Sequence, residues 1–229
     1  MRLFELGERL SVCVSFVRRG SRIADIGTDH GFLPIWLIKK GISPCAVATD
    51  INELPAEKAR FNAEKYGVSD RLSVITTDGL AGVAPDSVDD IVAAGMGGEV
   101  IAGIINRAPW LRNERYRLIL QPMSRSEMLR DALLSGGFDI EEEKTLCDAG
   151  RVYTVMCAKY TGNVRKGTLT ELYGGALLSQ HDENSAYLLK KQARILRDRA
   201  KAFSENDEQY AELINAACVL EDAADGKNQ

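Results

Sequence analysis

Ile23-Ala24-Asp25-Ile26-Gly27-Thr28-Asp29-His30-Gly31-Phe32-Leu33-Pro34 is the stretch on which the reading of this chain turns. A short apolar run holding an acid passes into a glycine turn, and a helix-like segment follows over residues 32–40. Strand, tight loop and helix in that order mark the place where an open α/β sheet binds a nucleotide-like ligand. Glycine stands at Gly27 and Gly31, but the middle of the loop holds Asp29 where many nucleotide-binding loops place a third glycine. The loop thus lets a ligand approach the backbone and sets Asp29 and His30 beside it. Asp50 ends the next strand-like run and Asp78 the one after. Three successive acids suit a hydroxyl-rich, amine-bearing cofactor, and S-adenosylmethionine fits that better than a dinucleotide.

Outward from this loop, strand-like runs cover residues 22–26, 45–50, 72–76, 90–94 and 117–121. Helix-like segments cover 32–40, 54–66, 98–106 and 126–134. Such alternation predicts a parallel sheet with right-handed crossovers. The ending differs. Residues 138–146 and 151–160 both read as strands, and only Cys147-Asp148-Ala149-Gly150 separates them, which makes an antiparallel hairpin. Five parallel strands closed by a hairpin predict a seven-stranded, Rossmann-like class I methyltransferase sheet. A dinucleotide-binding sheet would more often continue with another crossover helix.

Before the first strand, Leu3, Leu6, Leu10, Val14 and Val17 recur at helical spacing. Beyond residue 160 the chain becomes polar and glycine-containing over 161–170, which reads as a linker. From Leu177 helical periodicity takes over, with a break and cap at Ser204-Glu205-Asn206-Asp207. The expected division is a donor-binding domain over residues 1–162 and a helical, coiled-coil-like domain over 163–229, its last residues frayed.

Composition narrows the function. The net charge of −4 counts mildly against nucleic-acid binding, although a local basic face suffices for it. One candidate face lies in the tail, where Lys190, Lys191, Arg194, Arg197, Arg199 and Lys201 crowd together against Asp198 alone. Arg2, Arg9, Arg18 and Arg19 lend the N-terminal helix some basic character. A solvated helix face is the commoner meaning of such a strip; a phosphate-contacting surface for structured RNA is the functional one. The five cysteines are scattered without CxxC spacing, so a reducing cytosol is expected, with neither a disulfide framework nor a zinc site. Only two histidines are present, and no metal is expected. Residues 1–15 have no long apolar core for a signal peptide, and no run is long enough to span a membrane.

The candidate donor residues are Asp25, Gly27 and Thr28, then Asp50 with the adjoining Ile51, and Asp78 with Gly79. Asp25 offers an anion to the donor's ammonium, Asp50 an acceptor for vicinal ribose hydroxyls, and Asp78 an acceptor for the adenine amino group. Asn52 is the expected helix cap, which leaves Asp50 free. On the acceptor side stand Gly95, Met96 and Gly97, within Ala94-Gly95-Met96-Gly97-Gly98-Glu99. Three glycines there admit either a phosphate at a helix N-terminus or an acceptor base beside the methyl group. The Asn/Asp-Pro-Pro-aromatic run used by methyltransferases of exocyclic amines is absent. A ring nitrogen such as adenine N1 has an in-plane lone pair and needs only positioning. Asp29 and His30 are placed to contact the donor or to steer the acceptor, and His30 also to take up a proton; a histidine that only packs the loop is the plain alternative.

Taken together, Asp25-Ile26-Gly27-Thr28-Asp29-His30-Gly31-Phe32-Leu33-Pro34, Asp78-Gly79-Leu80, Ala94-Gly95-Met96-Gly97-Gly98 and Leu118-Ile119-Leu120-Gln121-Pro122 resemble the bacterial tRNA (adenine-22-N1) methyltransferase family. The likeness runs from Arg9 to about Tyr160, and the helical tail agrees in kind. It implies S-adenosylmethionine as donor, N1 of an adenine in the D-arm region of tRNA as acceptor, and a C-terminal helical domain that helps hold the tRNA. Arg9, Lys190, Lys191, Arg194 and Arg197 are the expected RNA contacts. The residues themselves leave open another acceptor, a small molecule or a protein, and a protein that holds cofactor or RNA without turnover.

Overall fold

A computed structural model describes residues 3–227; Arg2 and the last two residues of the expected frayed tail lie outside the described residues. Five strands, β1 (Ile23–Ile26), β2 (Ala46–Asp50), β3 (Leu72–Thr76), β4 (Asp90–Gly97) and β5 (Arg117–Ser124), run parallel. The hairpin β6 (Phe138–Asp148) and β7 (Arg151–Tyr160) closes the sheet antiparallel, in the order β3-β2-β1-β4-β5-β7-β6. The hairpin link is tighter than the sequence indicated, because pairing continues to Asp148 and Arg151.

The helices α1 (Glu8–Phe16), α2 (Phe32–Lys39), α3 (Glu53–Lys65), α4 (Gly98–Asn106) and α5 (Ser126–Ser135) cover both faces. The pleat sends neighbouring residues of one strand to opposite cores. Ile91, Leu118 and Leu120 pack with Ile101 and Ile104 of α4 and Leu129 of α5, whereas Val92 and Ile119 pack with α1 and α2. Burial on both faces is why these strands read as apolar runs rather than alternations. The N-terminal helix is shorter than the periodicity predicted. It starts at Glu8, and Phe4 and Leu6 reach the core from the segment before it. Arg18, expected to add basic surface, is tied to the core, where its Nε donates to the fully buried Asp90 Oδ1 at 2.7 Å.

The tail holds α6 (Leu169–Gly174), α7 (Glu183–Ala200) and α8 (Glu208–Ala224), with its own apolar core of Leu189, Leu196, Leu213 and Leu220 among others. α6 starts at a capping box between Thr168 and Glu171, and Asp182 and Asp207 cap α7 and α8. The segment expected to be a linker is tied down instead. Thr161 N and Gly162 N both donate to Gly137 O at 3.0 Å, and Arg165 N donates to Leu134 O at 3.1 Å. Below it lies a buried ion pair. Arg130 Nε and Nη2 each donate to Glu143 at 2.8 Å, and Arg130 Nη1 donates to Leu172 O of α6. A side chain at Gly175 would collide with Arg130 Nε and Glu143 Oε1, so glycine there lets the tail close over the pair.

Candidate active site

The donor loop is held from the strand beside it. Thr49 O, at the end of β2, accepts from Gly27 N at 2.8 Å and from Thr28 N at 2.9 Å. Gly27 has φ +68°, Asp29 φ +53° and Gly31 φ +71°, so the loop makes three left-handed steps, one of them on a residue with a side chain. The Thr28 hydroxyl donates to Asp25 Oδ2 at 2.5 Å. Burial pushes the Asp25 carboxyl up to about 6, the Thr28 hydrogen bond pulls the other way, and the neighbouring Asp50 adds to the rise. Two buried carboxylates close enough to repel each other, near the ends of β1 and β2, have the charge to attract a cation.

Asp50 is less free than expected. Its Oδ2 accepts from Asp29 N at 3.2 Å and its Oδ1 from Asn52 N at 3.0 Å. Asn52 does precede α3, but its side chain makes no capping bond. A carboxylate has about four acceptor sites, so Asp50 retains capacity for ribose hydroxyls. Beside it Ile51 is 66% exposed, an apolar face next to the carboxylate. Gly79 sits near the ends of these strands, where its carbonyl accepts from the buried Thr49 hydroxyl at 2.8 Å. Asp78 differs from its expected role. Arg107 Nη2, from the residue after α4, donates to both its carboxylate oxygens at 3.0 and 3.1 Å, so this acid is already paired.

The acceptor run is the surprise of the sheet. β4 does not stop at Ala94 but continues through two irregular steps to Gly97, with Met96 opposite Pro122 and Gly97 opposite Ser124. This carries Met96 over the donor loop, where its sulfur stands 3.4 Å from the position a Gly27 side chain would take. The glycines have separate reasons. Gly95 has φ +83° and faces the Arg9 guanidinium, 2.7 Å from where its Cβ would be. A Cβ on Gly98 would overlap Arg125 O and lie 3.0 Å from Ser124 O, so glycine there admits the protein's own backbone. Gly97 meets only Ser124 Oγ at 3.5 Å and remains open.

One residue quoted only for its family likeness has a definite place. Gln121 is fully buried; its Oε1 accepts from Gly95 N at 3.0 Å and from Arg9 Nη1 at 3.2 Å, and its Nε2 donates to Pro122 O at 3.0 Å. A lone amide ending the apolar run Leu118-Ile119-Leu120 was the available signal. Arg9 therefore lies at the acceptor run rather than on an outer surface. Asp29 Oδ2 is 3.5 Å from His30 Nε2, and the His30 ring stacks on Phe32 with centroids 5.4 Å apart.

Half of the basic strip along and just past α7 is neutralised. Lys190 pairs with Asp225 at 2.8 Å, Arg197 with Glu221 at 2.6 Å and Lys201 with Asp198 at 2.7 Å. The Glu221 carboxylate holds the Arg197 guanidinium well above its ordinary range, so that charge faces α8 and is not free for a ligand. Among the described residues, Lys191 and Arg194 have no carboxylate partner within ion-pair distance. Among the described residues, no helix is long and apolar enough to cross a membrane, and no group of three or more His, Cys, Asp or Glu side chains is gathered to hold a metal ion.

Comparison with known proteins agrees with this geometry. A family model described as a methyltransferase domain matches residues 6–156. The Bacillus subtilis tRNA (adenine(22)-N(1))-methyltransferase is 29% identical over 218 residues, which span 95% of this chain and 89% of that protein. A candidate tRNA (m1A22) methyltransferase of Streptococcus pneumoniae is 30% identical, with a TM-score of 0.83 over 96% of this chain and 100% of its own. The structure of that protein in complex with S-adenosyl-L-methionine gives a TM-score of 0.81.

Proposed function

The chain belongs to the methyltransferase-domain family and, within it, to the tRNA (adenine-22-N1) methyltransferases, and from that premise we propose that it methylates N1 of an adenine in tRNA, at position 22, in the cytoplasm. One observation carries the reading. The Met96 sulfur of the acceptor run stands 3.4 Å from where a Gly27 side chain would be, so the two candidate half-sites, far apart in sequence, lie side by side.

The residues suit S-adenosylmethionine. Asp25 and Asp50 supply buried anionic acceptors for an ammonium and for ribose hydroxyls. Gly27 leaves its backbone open to close approach, and Ile51 with the Gly79 turn offers an edge for a base. Bound there, the donor supplies a methyl carbon on a sulfonium. Gly95, Met96 and Gly97 set the acceptor ring nitrogen in line with that carbon, and alignment is the main source of acceleration in such a displacement. The N–C bond forms as the S–C bond breaks, and the positive charge passes from sulfur to the ring, so the step needs no general base. Asp29 and His30 act at the mouth, as steering groups and as a proton relay after transfer. Arg9, Lys191 and Arg194 contribute positive charge toward RNA phosphates. Incubation with labelled donor and unmodified tRNA, followed by nucleoside mass analysis, tests the reading. Formation of 1-methyladenosine is expected, and its absence refutes the proposal.

A further inference from the structure

A groove of about 840 Å³ separates the end of β5 and the start of α5 from α6 and α7. It belongs to neither the donor loop nor the Gly95-Met96-Gly97 run, but it begins where they end. Its floor starts at Pro122, Met123 and Ser124, and Pro122 and Ser124 are the register partners of Met96 and Gly97. An RNA strand that delivers a base to the acceptor run therefore leads its neighbours into this groove.

The two faces of α7 sort the basic strip. Lys190 and Arg197, seven residues apart, turn to α8 and are paired there. Lys191, Ile195 and Arg199, at four-residue steps, share the other face and line the groove. Among the described residues neither Lys191 nor Arg199 has a carboxylate partner within ion-pair distance, and Arg199 is steadied by donating to Tyr173 Oη. The opposite wall carries Glu127 and Asp131 beside Arg125, whose guanidinium lies 3.6 Å from Glu99, so the unpaired cations of the groove stand on the α7 side. Met128 and Ile195 stay 41% and 39% exposed, two apolar surfaces looking into the space. Gln192 Oε1, also on the groove, is the one buried side-chain polar atom without a hydrogen-bond partner among the described residues. Buried acceptors are rarely left so, and a turn of the Gln192 side chain toward the groove would let it meet a donor there.

A phosphate for Lys191 and Arg199, a flat apolar body for Met128 and Ile195 and an N–H or O–H for Gln192 together describe an unpaired ribonucleotide. We propose that this groove is a second RNA subsite, which holds an unstacked nucleotide flanking the target adenine. The proposal rests on the tRNA methyltransferase reading. Loops and splayed bases are the part of RNA that proteins bind through stacking surfaces and base or ribose contacts. Lys191 acts through charge and Gln192 through a neutral hydrogen bond, and the two are separable.

The test uses the full chain and unmodified tRNA transcript, with kcat, KM for tRNA and donor affinity measured for wild type, Lys191→Glu and Gln192→Leu. Charge reversal at a phosphate contact should raise KM for tRNA about tenfold or more and leave donor affinity unchanged. Gln192→Leu should raise KM several-fold and leave the salt dependence of tRNA binding as it was, which a purely electrostatic role would not do, and leave the melting curve as it was, which a purely structural role would not do. Equal KM values across the three proteins, with unchanged melting curves, would overturn the subsite. So would a wild-type dimer in sedimentation that Ile195→Arg dissociates without changing KM, since the groove would then be covered by a second copy. If wild type forms no 1-methyladenosine, the function reading fails by itself. Fluorescence anisotropy with the same tRNA then judges the groove: weaker binding by both variants supports it, and equal binding overturns it.

Discussion

Replacing Asp25 by Asn should make the free protein more stable and disable it. Asp25 is buried beside Asp50, and its carboxyl is pushed from an ordinary 3.8 to about 6. At about 1.36 kcal/mol per pH unit, holding it ionised in the folded chain costs about 3 kcal/mol at neutral pH. The sign follows from the raised value. The stabilising contribution of the protonated form is complete below pH 4 and is lost as pH rises through about 6. Asn keeps an oxygen to accept the Thr28 hydroxyl and carries no charge. At pH 7.5 the variant should therefore melt higher, by about 6–12 °C at roughly 2–4 °C per kcal/mol for a chain of this size. On acidification to pH 4.5 the two melting curves should draw together, because wild-type Asp25 is then mostly protonated. The same substitution removes the anion proposed to face the donor's ammonium, so calorimetry should find S-adenosylmethionine binding severely weakened. Wild-type binding should weaken by about tenfold per pH unit below about 6, as binding then has to expel a proton. Melting curves that differ equally at both pH values, or donor affinity flat from pH 7.5 to 5, would refute this account of Asp25.

Asp50→Ala should weaken donor binding by about 1.5–3 kcal/mol per charge-assisted hydrogen bond lost; unchanged affinity in calorimetry would mean that Asp50 only serves the Asp29 and Asn52 amides. Gly98→Ala drives a methyl group into Arg125 O and Ser124 O, so kcat should fall as the acceptor run shifts, with donor affinity retained; wild-type kcat would show that the run tolerates the displacement. Arg130→Met leaves Glu143 buried and unpaired and should cost about 3–5 kcal/mol in urea unfolding, and Glu143→Leu in the same chain should recover much of it. Truncation after Gly162 strips α6 from that pair, so the fragment should bind donor, melt lower than the full chain and methylate tRNA poorly. A fragment as active as the full chain at the same subsaturating tRNA concentration would remove the tail from RNA binding.

The alternation of strands and helices, the closing hairpin and the positions of Asp25, Asp50 and the Gly95-Met96-Gly97 run were all legible in the sequence. Each depends on local periodicity or on a turn, and local physics writes both into adjacent residues. The structure alone decided what those residues touch. Asp78 gave no sign of its partner, because Arg107 reaches it only when the end of α4 packs beside the turn that follows β3. Lys190 and Arg197 looked like neighbours of Lys191 in one strip, but a helix turns about 100° per residue, and the packing of α8 decides which face is neutralised. Likewise Arg9 and Gln121 meet at Gly95 across 112 residues of sequence. Such pairings depend on how whole elements dock, and docking is set by the summed burial of many side chains, so no single stretch of sequence contains them.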